Sequence, residues 1–94
     1  MSKYLKSDLL YYNYHWTIYQ KNDPKVSGPL DNTTFNRAEG NEVLYIIMNL
    51  MQEWELSDKD TGEKLERMIK IHLPFRIETQ LQVKEWLLEN WKGY

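Results

Sequence analysis

Leu9-Leu10-Tyr11-Tyr12-Asn13-Tyr14-His15-Trp16-Thr17-Ile18-Tyr19-Gln20 is the stretch on which the fold turns. Leu10, Tyr12, Tyr14, Trp16 and Ile18 form an apolar and aromatic row at every second position. Tyr11, Asn13, His15, Thr17 and Tyr19 form the mixed row between them. This period of two predicts a β-strand with the first row against the core. A helical reading competes, because Leu5, Leu9, Tyr12, Trp16 and Tyr19 also recur at intervals of three and four, with Ser7 or Asp8 as a cap. Tyr, Trp, Thr and Ile favour a pleated surface, so the strand is preferred.

A strand needs partners for its backbone groups, and no second stretch of the chain has the same pattern. Residues 21–32 are dense in turn formers: Asn22-Asp23-Pro24, Ser27-Gly28-Pro29 and Asp31-Asn32. The nearest partner is Lys25-Val26-Ser27, folded back through Asn22-Asp23-Pro24 as a short hairpin. Otherwise one edge stays open to another molecule.

Three helices follow. The first is expected over about 37–55, opened by a capping box in which Asn36 is the cap and Glu39 lies three residues on. Gly40, Val43, Leu44, Ile47, Met51 and Trp54 fall on one face, widened by Ile46, Met48 and Leu50. Gly40 has a packing explanation, close approach of the aromatic segment to the first turn. The second helix is expected over about 62–72, with Leu65, Met68, Ile69 and His72 inward and Pro74 as the stop. Glu63 with Arg67 and Glu66 with Lys70 stand four apart with the acid first, a pairing expected on a solvated face. Thr79-Gln80-Leu81-Gln82 is a second capping box, opening a third helix over about 80–91 that buries Val83, Trp86, Leu87 and Trp91.

The expected fold is therefore α+β: an N-terminal aromatic strand or short hairpin packed on a three-helix unit. At 94 residues this is one small domain, with a frayed N-terminus over 1–7. Hydrophobic residues at 41% and charged residues at 28% place it among globular chains. No apolar run is long enough to span a bilayer, and the start lacks a secretory core, so a cytoplasmic setting is expected. The chain has no cysteine, which excludes disulfides and thiolate chemistry.

Catalysis finds little support. His15 and His72 are too far apart in sequence for a metal-ligand spacing, and Ser2, Ser7, Ser27 and Ser57 lack the context of an activated nucleophile. No catalytic residue, metal or cofactor is expected, and no small-molecule ligand. A net charge of −2 provides no global attraction to nucleic acid or anionic lipid.

Seven Tyr and four Trp exceed what so small a core needs, and these residue types favour contact sites. The expected function is a non-catalytic interaction, adaptor or inhibitor protein that docks another protein or a second copy of itself, as a homodimer, through the aromatic strand. Tyr11, Tyr14, Trp16 and Tyr19 are the expected anchors, with Arg37 as a polar contact to a carboxylate or phosphate. The alternative is a DNA-binding regulator of helix-turn-helix outline, with Arg76, Gln80, Gln82 and Lys84 on the third helix toward base edges. From Ser57 onward basic and acidic residues balance, which weakens that reading.

Overall fold

The computed structural model describes residues 4–11 and 13–94. Tyr12, placed above in the inward row, and residues 1–3 of the segment expected to fray lie outside the described residues. Three helices carry the core: α1 (Gly40–Glu53), α2 (Lys59–Arg67) and α3 (Gln80–Asn90). A π-helical turn, Met68–His72, continues α2, and short 3-10 turns occur at Lys6–Asp8 and Trp91–Gly93. Among the described residues no helix is long and apolar enough to cross a membrane.

The α+β expectation is overturned. Among the described residues there is no strand, sheet or hairpin, and outside the helices only two isolated bridges occur: His15 with Glu39 in parallel, and Thr34 with Thr79 in antiparallel sense. Residues 9–11 and 13–39 form an irregular layer wrapped against the helices. The turn at Asn22-Asp23-Pro24 does form, closed by Asp23 N–H to the Gln20 carbonyl and Val26 N–H to the Asp23 carbonyl. It does not return the chain along the aromatic segment. The reason is competition for the same backbone groups. His15 N–H donates to the Ala38 carbonyl at 2.8 Å, and Gly40 N–H donates to the His15 carbonyl at 2.8 Å. The segment thus satisfies the orphan donor at the start of α1, which a hairpin partner would have displaced.

The start of α1 also differs from expectation, at Gly40 rather than about residue 37. Asn36 does not cap a helix; its side-chain oxygen accepts from Ala38 N–H, a local turn, and Glu39 itself takes the cap position. A Schellman arrangement ends α1: Glu55 adopts φ 55, its N–H donates to the Gln52 carbonyl, and Leu56 N–H donates to the Met51 carbonyl. The second helix starts earlier than expected, at Lys59, and reaches His72 only through the π turn, where Leu73 N–H donates to the Met68 carbonyl. α3 opens as expected: Thr79 Oγ1 accepts from Gln82 N–H, and Gln82 Oε1 accepts from Thr79 N–H. Its next orphan donors, Gln80 and Leu81 N–H, go to the Thr33 and Asp31 carbonyls of the irregular layer.

Val43, Ile46, Ile47 and Leu50 of α1, Leu65, Met68 and Ile69 of α2 and its extension, and Val83 and Leu87 of α3 meet in a core closed to solvent. Leu9, Tyr14 and Phe35 cover it from the irregular layer, and Tyr4 from the segment that leads into that layer. Two glycines set how closely that layer lies. A Cβ on Gly40 would come within 2.5 Å of the Trp16 indole, and one on Gly62 would overlap the ring of Tyr4. Trp16 is partly exposed and can swing aside, whereas Tyr4 is buried and tied by its hydroxyl to the Asp8 carbonyl. Gly62→Ala should therefore destabilise the protein by roughly 1–3 kcal/mol through overpacking, although alanine is the better helix former. Urea denaturation checks this; a stabilised Gly62→Ala protein would show that Tyr4 does not pack there.

Candidate functional site

Each helix directs one fully buried polar side chain at the irregular layer. Glu66 of α2 is 0% exposed, Glu42 of α1 2% and Gln80 of α3 1%, and buried groups of this kind persist only when hydrogen-bonded. Glu66 accepts from Leu10 N–H at 2.7 Å, from Tyr11 N–H at 3.2 Å and from the Tyr14 hydroxyl at 2.6 Å. Glu42 accepts from the Tyr19 hydroxyl at 2.7 Å and from Asn36 N–H at 3.0 Å. Gln80 accepts from Asp31 N–H and donates to the Pro24 and Lys25 carbonyls. The expectation that Glu66 pairs with Lys70 on a solvated face is thereby corrected: the carboxylate turns inward, because the layer holds donors that have no strand to pair with.

The five residues expected to dock a partner lie as follows. Tyr14 is buried, its hydroxyl on Glu66 and its ring beneath Lys70 Nζ at 4.5 Å. Tyr11 is half-buried and held by its N–H. Tyr19 is half-buried, its hydroxyl on Glu42. Trp16 is 36% exposed, seated over Gly40 with Lys6 Nζ 4.0 Å above its ring. Arg37 is half-buried, and its guanidinium donates to the Ile69 and Pro74 carbonyls at 3.2 and 3.1 Å, capping the end of the α2 extension. Phe75 stacks against that guanidinium and is otherwise exposed.

Of the residues considered for base contacts, Gln80 is buried, Gln82 serves the cap of α3, Lys84 pairs with Glu53 at 2.7 Å and Arg76 is exposed. His15 is exposed and His72 lies 4.2 Å from the Tyr94 ring. Among the described residues no three of His, Asp and Glu converge in a metal-binding geometry.

What remains open is a short edge. His15 and Thr17 turn toward α1: His15 through its backbone, Thr17 by N–H and Oγ1 to the Glu39 carboxylate and by its carbonyl to the Asn41 amide. Neighbouring residues of an extended chain direct their backbone groups to opposite edges. In keeping with that alternation, no described residue hydrogen-bonds to the backbone groups of Trp16 or Ile18. Ile18 was expected in the inward row, yet it is 96% exposed. It borders a solvent-open hollow of about 550 Å³ shared with Tyr19, Val26, Asn41, Leu44, Tyr45 and Met48. Tyr45 is held there by its hydroxyl on the Gly28 carbonyl. A second hollow, of about 640 Å³, is lined by Leu5, Lys6, Ser7, Leu9, Tyr11 and Trp16. Nothing in the period-two pattern marked Ile18 as exposed; the excess of apolar positions on α1, from Val43 through Met48, was the available signal that this helix has more apolar faces than one core covers.

Compared with known proteins, the chain matches no family model, no curated sequence and no solved structure.

Two predictions follow from the buried contacts. Glu66→Ala leaves three donors without their acceptor and should cost roughly 2–5 kcal/mol, with Glu66→Gln costing less because one acceptor oxygen survives. Hydrogen exchange at Leu10 and Tyr11 should accelerate in both variants, and unchanged protection there would refute the anchoring role. Burial holds the Tyr4, Tyr14 and Tyr19 hydroxyls protonated well above the ordinary tyrosine value of 10.0, helped at Tyr14 and Tyr19 by donation to Glu66 and Glu42. Their contribution to stability is complete below that value. It is lost as pH rises beyond it, because the unfolded chain ionises there and the folded chain does not. A melting temperature that falls above about pH 10, less steeply in Tyr14→Phe, is the expected result.

Proposed function

We propose that this protein is a small non-catalytic interaction protein of the cytoplasm, an adaptor or inhibitor, that docks an extended segment of another polypeptide along Trp16–Gln20. The observation that carries this reading is Ile18: a large apolar side chain 96% exposed, beside an apolar hollow, on a chain whose backbone edge has no partner among the described residues. Strand addition supplies main-chain hydrogen bonds along such an edge and side-chain pockets beside it, and both parts are present here. Tyr19 lines that hollow and Trp16 stands two residues before Ile18, so two of the expected aromatic anchors fall within Trp16–Gln20. Tyr11, Tyr14 and Arg37 support it from inside, through Glu66 and the end of the α2 extension. The buried state of Gln80 and the pairing of Lys84 favour this reading over recognition of DNA by α3.

The test is titration of short blocked peptides of alternating Val, Ile and Thr, followed by NMR. Amide shifts confined to Trp16–Gln20 and methyl shifts at Leu44 and Met48 are expected. Ile18→Asp should abolish them while changing folding stability by less than about 0.5 kcal/mol, as for other exposed positions. Absence of binding, or shifts elsewhere on the surface, would overturn the proposal.

A further inference from the structure

We infer that the corner joining α2 to α3 is a separate interaction surface, which binds the face of an anionic phospholipid bilayer and does not rest on the docking reading above. Residues 67–77 carry Arg67, Lys70 and Arg76 and no Asp or Glu, in a chain whose net charge is −2. The fold adds a fourth cation. Arg37 reaches the corner from the irregular layer with its guanidinium on the Ile69 and Pro74 carbonyls, and Lys70 Nζ donates to the Arg37 carbonyl at 3.3 Å. None of these four groups forms an ion pair among the described residues. Glu63 stands one turn before Arg67 without pairing with it, and Glu66 is closed to solvent and taken by Leu10, Tyr11 and Tyr14. The next carboxylate is Glu78, exposed at the entry to α3.

Two large apolar side chains stand exposed among these cations. Phe75 is 91% exposed, with the Arg37 guanidinium 4.9 Å from its ring centre, and Ile71 is exposed one residue after Lys70. Charge complementarity calls for an anionic partner, and the apolar pair decides which kind. An acidic peptide answers the cations and leaves Phe75 and Ile71 in water. A nucleic acid can stack a base on Phe75 but offers aliphatic Ile71 nothing comparable. A bilayer answers both, because its phosphates meet the basic groups while protruding apolar side chains enter the acyl boundary beneath them. Lys and Arg suit that depth, since their aliphatic stems lie along apolar surface and their charged ends stay at headgroup level. The Arg37 guanidinium also keeps N–H donors beyond the two given to carbonyls, free for a phosphate oxygen. The whole-chain charge of −2 does not oppose this, because attraction to a headgroup layer falls off within a Debye length and is set by the groups nearest it.

Vesicle pelleting tests this, with phosphatidylcholine alone and with phosphatidylcholine and phosphatidylserine in equal parts. The protein should pellet with the mixed vesicles and stay in solution with phosphatidylcholine, and added salt should release it. Arg76→Gln should weaken binding roughly fivefold and Phe75→Ala roughly tenfold or more. Both positions are exposed, so melting temperatures should not change. The chain has no cysteine, so Phe75→Cys can carry a polarity-sensitive dye at that position alone. Its emission should shift to the blue on the mixed vesicles, whereas the same dye on Ile18→Cys should not respond. A protein that stays in solution with both vesicle types, or pellets equally with both, overturns the inference, as does a dye response at residue 18 in place of 75. Capture of a DNA duplex or of polyglutamate without vesicle binding assigns the corner to another polyanion and overturns it too. The docking reading is judged separately, by the peptide titration at Trp16–Gln20.

Discussion

The carboxylate of Glu66, closed to solvent in the last turn of α2, is the contact from which the rest of the arrangement follows. A buried carboxylate is costly unless its oxygens are met by donors, and the helices around it offer none. The donors come from Leu10, Tyr11 and Tyr14, a part of the chain with no sheet in which to place them. Each side resolves the other's deficit. The aromatic segment is ordered without becoming a strand, and α2 keeps a charged residue in its inward face without an ion pair among the described residues.

The same device recurs along the irregular layer. Glu42 receives Tyr19 and Asn36, Gln80 receives Asp31 and reaches Pro24 and Lys25, and Glu39 holds Thr17. In the other direction, carbonyls of the layer satisfy the first donors of α1 and α3. The exchange is reciprocal: helix side chains supply acceptors to the layer, and the layer supplies acceptors to helix N-termini. The result substitutes for the ladder of a sheet. It uses particular residues rather than a repeating pattern, so it leaves gaps where no such residue is near.

Ile18 lies at one of those gaps. Glu39 and Asn41 hold Thr17, and Glu42 holds Tyr19, but the intervening residue has an exposed side chain and no hydrogen-bond partner among the described residues. Exposure of so large an apolar side chain beside the unfilled face of α1 is unfavourable for an isolated monomer and favourable once a second surface covers it. The exposed position of Ile18 is thus a consequence of how the layer is anchored on either side of it.

Much of the helical part was legible in the sequence because its signals are local. The Thr79–Gln82 capping box opens α3 where it was expected, and the apolar period of three and four placed the cores of α1 and α2. Their ends are not local: Asn36 and Glu39 have the spacing of a capping box, but Thr17 claims the Glu39 carboxylate, a contact between residues twenty-two positions apart. The alternation from Leu10 to Ile18 expressed a local preference for extended chain and nothing about what would pair with it. That was decided only in three dimensions, by Glu66 lying more than fifty residues away. By itself the sequence determined three helices, a core without disulfides and a chain with more aromatic and apolar surface than that core needs. Tertiary structure decided that the aromatic segment is pinned by buried side chains rather than by a sheet, and that Ile18 is left outside. Hydrogen-bond partners are chosen by proximity in space, which no period along the chain encodes.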